Sequence, residues 1–179
     1  MRRVRTLIAL GFAIGIAVGF HWLSPTALAK TKISPGAEIQ ADDNTVREIV
    51  AAFHSAEDFL QARNLESLMA LYSKEYSYHG LKKEDLKKIW HDLFANYHRI
   101  SSAHMFSRIV VAEGKTPTAE ITCTGVLWAT SDAGQRANID SWFEEVHYLI
   151  YEEGAWRIRG HAGEARKGLQ FGVAPHPFF

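Results

Sequence analysis

The sequence predicts an α+β domain in which a curved antiparallel sheet wraps around three N-terminal helices. Three observations predict it. Apolar residues recur at helical spacing in three stretches between Asp42 and Tyr97. The pattern then changes to β-branched and aromatic runs, Ile100 to Ala112, Thr118 to Thr130 and Ile139 to Tyr151, closed by a shorter run around Trp156. Strands this long twist and curl, so the sheet is expected to be curved.

The first helix is expected to start near Asp42-Asp43-Asn44, where Thr45-Val46-Arg47-Glu48 fits a capping box and the acids suit the positive helix N-terminus. Val46, Ile49, Val50, Phe53 and Leu60 form its buried stripe, and His54 and Asp58 lie on a flank. Asn64 closes this helix and caps a shorter one carrying Leu65, Leu68, Met69 and Tyr72. Tyr76-Ser77-Tyr78-His79-Gly80 reads as a short strand, with Tyr76 and Tyr78 on one side and His79 at its end. Leu86, Ile89, Trp90, Leu93, Phe94 and Tyr97 give the third helix a broad apolar face suited to packing on a sheet.

In the middle strand Ala119, Ile121, Cys123, Gly125 and Leu127 form the expected core face, and Gly125 suggests a bulge or bend. Glu153-Gly154 is the expected turn of a closing hairpin. Antiparallel pairing about that turn sets Tyr151 opposite Trp156, Leu149 opposite Ile158 and His147 opposite Gly160. One face then carries Phe143, Glu145, His147, Leu149, Tyr151, Trp156 and Ile158; the other carries Trp142, Glu144, Val146, Tyr148, Ile150, Arg157 and Arg159. Glu145 and His147, two residues apart, point the same way. A carboxyl against an apolar wall has a raised pKa, and histidine exchanges protons near neutrality, so this couple is a candidate for acid–base work or for mutual hydrogen bonding in the core.

Residues 1–29 read as an export signal. Arg2, Arg3 and Arg5 precede an uncharged apolar run, and Ala27-Leu28-Ala29 is a small-x-small cleavage site behind Pro25. Cleavage after Ala29 implies a periplasmic or secreted protein with no membrane attachment; the alternative is an uncleaved N-terminal membrane anchor. Residues 30–41, with Pro35 and Gly36, read as a flexible lead-in, and 163–179, rich in glycine and proline, as a tail or strap beyond a domain spanning 42–162.

The chain has 47% hydrophobic residues and a formal net charge of zero, which argues against disorder and against nucleic-acid binding. Loss of the leader removes three of the arginines and no acids, leaving a mildly acidic domain. Cys123 is the single cysteine, so no intrachain disulfide forms and its strand context marks it as a small core residue. Phosphate-binding glycine loops, nucleophile elbows and paired-histidine zinc motifs are missing from the sequence. The nine histidines are scattered, so neither a metal nor a cofactor is expected.

The order of elements, the Tyr78-His79-Gly80 junction before the third helix and the closing Gly-Ala-Trp-Arg-Ile-Arg-Gly together resemble the nuclear transport factor 2-like superfamily, which includes SnoaL-like and ketosteroid isomerase-like domains. The resemblance covers about residues 43 to 162. It implies a cone-like α+β barrel with an apolar cavity, and a homodimer through the outer sheet face, here Trp128, Trp142, Val146, Tyr148 and Ile150. It also implies a pocket lined by Tyr76, Tyr78, His79, Phe143, Glu145, His147 and Trp156. Isomerases of this family use an acidic base with a tyrosine-acid pair, whereas dehydratases use histidine, tyrosine and acid; His147, Glu145, Tyr78 and His79 are closer to the second set. The readings that follow are a domain binding a small apolar molecule, a lyase or isomerase using those four residues, and a dimeric interaction module with a filled cavity.

Overall fold

The computed structural model describes residues 31–162. The expected leader and the C-terminal segment 163–179 lie outside the described residues. Among these residues, seven strands and three helices follow in the order β1 (Lys32–Gln40), α1 (Asp43–Ala62), α2 (Leu65–Met69), β2 (Ser77–Tyr78), β3 (Leu81–Lys82), α3 (Lys83–Asn96), β4 (Arg99–Ala112), β5 (Thr118–Thr130), β6 (Arg136–Glu152) and β7 (Ala155–His161). The main sheet runs β1-β4-β5-β6-β7, and β2 and β3 form a separate hairpin. The sheet is curved and not closed, and the helices pack against it as a cone.

The segment expected to be a flexible lead-in is instead a strand. β1 lies parallel to β4, pairing Lys32 with Met105 and Ile33 with Phe106, then Glu38 with Arg108 through Gln40 with Val110. The pairing slips between Ile33 and Glu38, where Pro35 and Gly36 (φ +80°) sit. Those residues break the local pattern, but the unpaired edge of β4 supplies a partner for the chain on either side of them. This makes the sheet mixed, with one parallel edge, rather than wholly antiparallel.

Helix α1 is capped by Asp42, whose carboxylate accepts the Asn44 and Thr45 amides at 2.9 and 3.1 Å; the box expected at Thr45 is not the cap. Asn64 caps α2 through the Ser67 amide, as its sequence position implies. Ile49, Phe53, Ala56 and Leu60 of α1 and Leu86, Trp90 and Phe94 of α3 face the concave side of the sheet, where Phe106, Ile109, Ile121 and Leu127 complete the core. Trp90 donates its indole N–H to the Tyr72 hydroxyl at 3.1 Å, so a wide aromatic pair is buried with its polar atoms satisfied.

Bulges place the site. Between the pairs Cys123–Glu145 and Gly125–Trp142, β5 advances two residues and β6 advances three. The extra residue is accommodated with Glu144 at φ +52°, and its carboxylate and amide are tied to Ser107 and Thr124. Side chains before this bulge therefore change face. Trp142, assigned by simple alternation to the outer surface, is buried, and Phe143, assigned to the inner face, is 80% exposed. Gly125 makes room for this: a Cβ there would lie 2.2 Å from the Trp142 ring. A second bulge lies in β7. Leu149 pairs with Ile158 but Tyr148 pairs with Gly160, so Arg159 is the additional residue.

Candidate functional site at the concave face

The β2–β3 hairpin turns at His79 and Gly80, whose φ values of +47° and +86° are what a two-residue hairpin turn requires. The turn sends Tyr78 inward and leaves His79 exposed, with its ring 4.1 Å from that of Tyr78. The hairpin sits directly on β7: a Cβ on Gly160 would lie 2.6 Å from the Ser77 carbonyl oxygen. This contact presents two buried rings, Tyr76 and Tyr78, to His161 at centroid distances of 6.1 and 5.0 Å.

The Arg159 bulge sets His161, not Gly160, opposite His147. Both imidazoles are buried, and their Nδ1 atoms are 2.6 Å apart. Two bare nitrogens do not approach so closely; one Nδ1 carries a proton and donates it to the other. In the neutral pair this fixes complementary tautomers, one ring ending in a protonated Nε2 and the other in an unprotonated one. The sequence offered a weak signal for His161: it ends the closing strand, next to a glycine packed against another backbone. Alternation alone assigned the place opposite His147 to Gly160.

Glu145, half-buried, lies on the same side as His147 and opposite Cys123. Burial pushes the Tyr78 hydroxyl up to about 12, and the nearby charges of Glu145 and then Asp140 push it the same way. Tyr78 therefore stays protonated at neutral pH and serves as a donor. Burial also raises Tyr76 well above the ordinary tyrosine range, with Tyr72 and Tyr78 adding to it. Tyr76, Tyr78, Glu145 and His147 are thus brought together, with His161 and Asp140 added to them. Phe143 and His79, both proposed from sequence as pocket residues, are exposed; the Glu144 bulge turns the first outward and the tight turn places the second on the rim.

Phe53 of α1 covers this group, 6.2 Å from the His147 ring. Its other contacts, at 5.3 and 4.9 Å, are His104 and Phe106. His104 begins a second buried polar group that the sequence did not reveal. Its Nδ1 lies 3.6 Å from Glu57 Oε1 and 3.4 Å from the Thr31 hydroxyl, which donates to Glu57 at 3.3 Å. The His54 ring meets the Thr31 carbonyl at 3.0 Å. Residues from α1 and β4 together clamp the start of β1. Cys123 accepts the Trp142 indole N–H at 3.3 Å, and burial pushes its thiol up to about 12, consistent with a core residue. Trp156 stands apart from the histidine pair. It packs on Tyr151 and, with Phe53 and Leu149, lines a void of about 10 Å³ behind a cleft of about 540 Å³.

No family model and no curated protein matches the chain. Solved structures do resemble it. A conserved protein from Planctomyces limnophilus is 14% identical over 68% of this chain and 96% of its own, with a TM-score of 0.56. Aln2 from a Streptomyces species is 13% identical over 68% of this chain and 91% of its own, with a TM-score of 0.53. A ketosteroid isomerase-like protein from Erwinia carotovora atroseptica is 15% identical over 67% and 95%, with a TM-score of 0.48. At these identities the likeness concerns the fold alone. The first two share this chain's α+β fold of a curved sheet packed against helices.

Proposed function

We propose that this protein, exported and freed of residues 1–29, binds a small, largely apolar molecule at the concave face of its cone. Tyr78, Glu145 and the His147–His161 pair fix its polar group. The observation that carries the reading is the 2.6 Å Nδ1 contact of two buried imidazoles beneath Tyr76 and Tyr78. Aromatic and aliphatic walls with a few convergent polar groups are what small-molecule sites offer. Native mass spectrometry of the protein purified from its exporting host tests this. A bound mass retained by the wild type and lost in His161→Ala is the expected result; a wild type that emerges without ligand, and that takes none up from a lipophilic extract of the host, refutes it.

A lyase or isomerase is the second reading, favoured by Tyr78. A phenol held protonated beside Glu145 and Asp140 is a competent donor to a developing oxyanion, and either carboxylate or the histidine pair then serves as the base. A homodimer through the outer sheet face accompanies both readings. Trp142 and Ile150 are buried rather than displayed on that face, but Phe143 and Tyr148 are exposed, and paired copies would cover them.

A further inference from the structure

The concave-face site is shut. Glu145 and Asp140, the acids beside Tyr78, are half-buried, but Tyr76, Tyr78, His147 and His161 are all buried, the two histidines at 0% and 7% exposure. A ligand that meets the histidine pair therefore has to displace part of the wall around it. Most of that wall is built into the core. His147 and His161 stand on β6 and β7 of the five-stranded sheet. Phe53, 6.2 Å from the His147 ring, belongs to the 20-residue helix α1, where Ile49, Ala56 and Leu60 are buried with it. The remaining piece is the β2–β3 hairpin, which holds the Tyr78 ring 5.0 Å from that of His161.

This hairpin stands outside the main sheet. Its strands have two residues each and pair with each other, Ser77 with Lys82 and Tyr78 with Leu81. The backbone is bonded to β7 just before the hairpin begins: Ile158 donates to Leu71 and Ser73 donates to Ile158, both at 2.8 Å. Just after it, the Lys82 amide donates to the Asp85 carboxylate at 2.9 Å, at the start of α3. Between these two fixed points the hairpin rests on β7 where Gly160 leaves room for the Ser77 carbonyl oxygen. A hairpin of this size is not stable by itself, so it opens at a lower free energy than the strands of the core. We propose that the β2–β3 hairpin is the lid of the concave-face site: it lifts off β7 between Ser73 and Lys82, taking Tyr76 and Tyr78 with it, and closes over a ligand seated on the histidine pair. The lid rests on the binding proposed at that face, and it gives that site its route of entry.

Diethyl pyrocarbonate tests the lid without any ligand, because it acylates an imidazole only where it can reach the ring. His104, His147 and His161 each fall alone in a tryptic peptide, so their labelling rates are read separately by mass spectrometry. His104 is the internal control: it is buried against Glu57 and Phe53 of α1, and the hairpin does not cover it. With each rate referred to that of the unfolded chain, His161 is expected to react about tenfold or more faster than His104. Its rate is also expected to rise less steeply with urea, because lifting the hairpin exposes less surface than unfolding the domain. Gly160→Ala crowds the closed hairpin and is expected to speed His161 about fivefold or more. A shared rate and a shared urea slope for His161 and His104 overturn the lid, because the pair is then uncovered only when the whole domain unfolds. A His161 rate unmoved by Gly160→Ala also overturns it, because another wall then moves. Should Gly160→Ala fail to fold, the wild-type comparison of the two histidines still decides. No ligand enters the measurement, so a failed lid is told apart from the absence of a ligand in the native mass spectrum.

Discussion

His147 and His161 meet through their Nδ1 atoms at 2.6 Å because β7 carries one residue more than β6 between the two paired positions. Were Arg159 paired with Tyr148 instead of bulged, plain alternation would set Gly160 opposite His147. The contact thus depends on a backbone irregularity, and its consequence is a pair of imidazoles with opposite tautomers. Nitrogen-15 spectra of the labelled imidazoles at neutral pH are expected to show one ring protonated at Nδ1 and its neighbour at Nε2. Two rings of the same tautomer would contradict the hydrogen bond. His161→Ala leaves His147 without its Nδ1 partner in the core, and denaturant unfolding is expected to register a loss of about 2–4 kcal/mol.

Alkaline pH reports on the buried tyrosines. Burial first, then the charges of Glu145 and Asp140, raises Tyr78 from 10.0 to about 12 in the folded chain, and Tyr72 and Tyr76 move in the same direction. Between those values the unfolded chain releases a proton that the folded chain retains. Stability is therefore whole below pH 10.0, the unfolded value, and falls as pH rises toward 12 and beyond. Each such tyrosine adds up to about 1.4 kcal/mol per pH unit to the slope. Tyr78→Phe is expected to flatten the alkaline limb of a stability profile; an unchanged limb would remove Tyr78 from the linked groups.

Gly125 and Gly160 are expected to tolerate no side chain. Gly125→Ala drives a methyl into the Trp142 ring and the Ala103 carbonyl, with a cost of about 1–3 kcal/mol by thermal or denaturant unfolding. Gly160→Ala meets backbone, the Ser77 carbonyl oxygen, and is expected to loosen the β2–β3 hairpin in particular. Amide exchange at Ser77 through Lys82 should quicken before the long strands are affected. Uniform protection in the variant would mean that Gly160 does not seat the hairpin.

Thr31→Val keeps the shape of the side chain and removes the hydroxyl that stands between Glu57 and His104. A loss of about 1–3 kcal/mol is expected, with faster exchange confined largely to β1. No change in either measurement would show that the clamp does not hold the N-terminal strand.

Phe143→Asp tests the outer face. Its side chain is exposed, so folding stability is expected to change by less than about 0.5 kcal/mol. Sedimentation equilibrium should show weaker self-association than in the wild type. A wild type that is monomeric throughout the accessible concentration range would end the dimer proposal.

Much of this molecule is written locally. Helical spacing gave α1 and α3 their buried faces, Asn64 marked the break between α1 and α2, and Glu153-Gly154 marked the closing turn, where both residues have positive φ. Alternation gave the core face of β5, because no bulge on that strand disturbs it. It failed on β6 and β7. Each extra residue shifts the inside–outside pattern by one position, so Phe143 and Trp142 exchange faces and His161 replaces Gly160. Nothing in the local run Trp142-Phe143-Glu144 decides where that residue is inserted. The decision comes from across the sheet, where Gly125 leaves space for the Trp142 ring and Thr124 and Ser107 hold Glu144. β1 was illegible for a related reason: Pro35 and Gly36 spoil its own pattern, and its strand character derives from the open edge of β4. Residue spacing along the chain thus suffices for most of the helices and long strands and for the apolar faces of α1, α3 and β5. Which histidines meet is settled in three dimensions alone, because it depends on register between segments whose pairing no local run encodes.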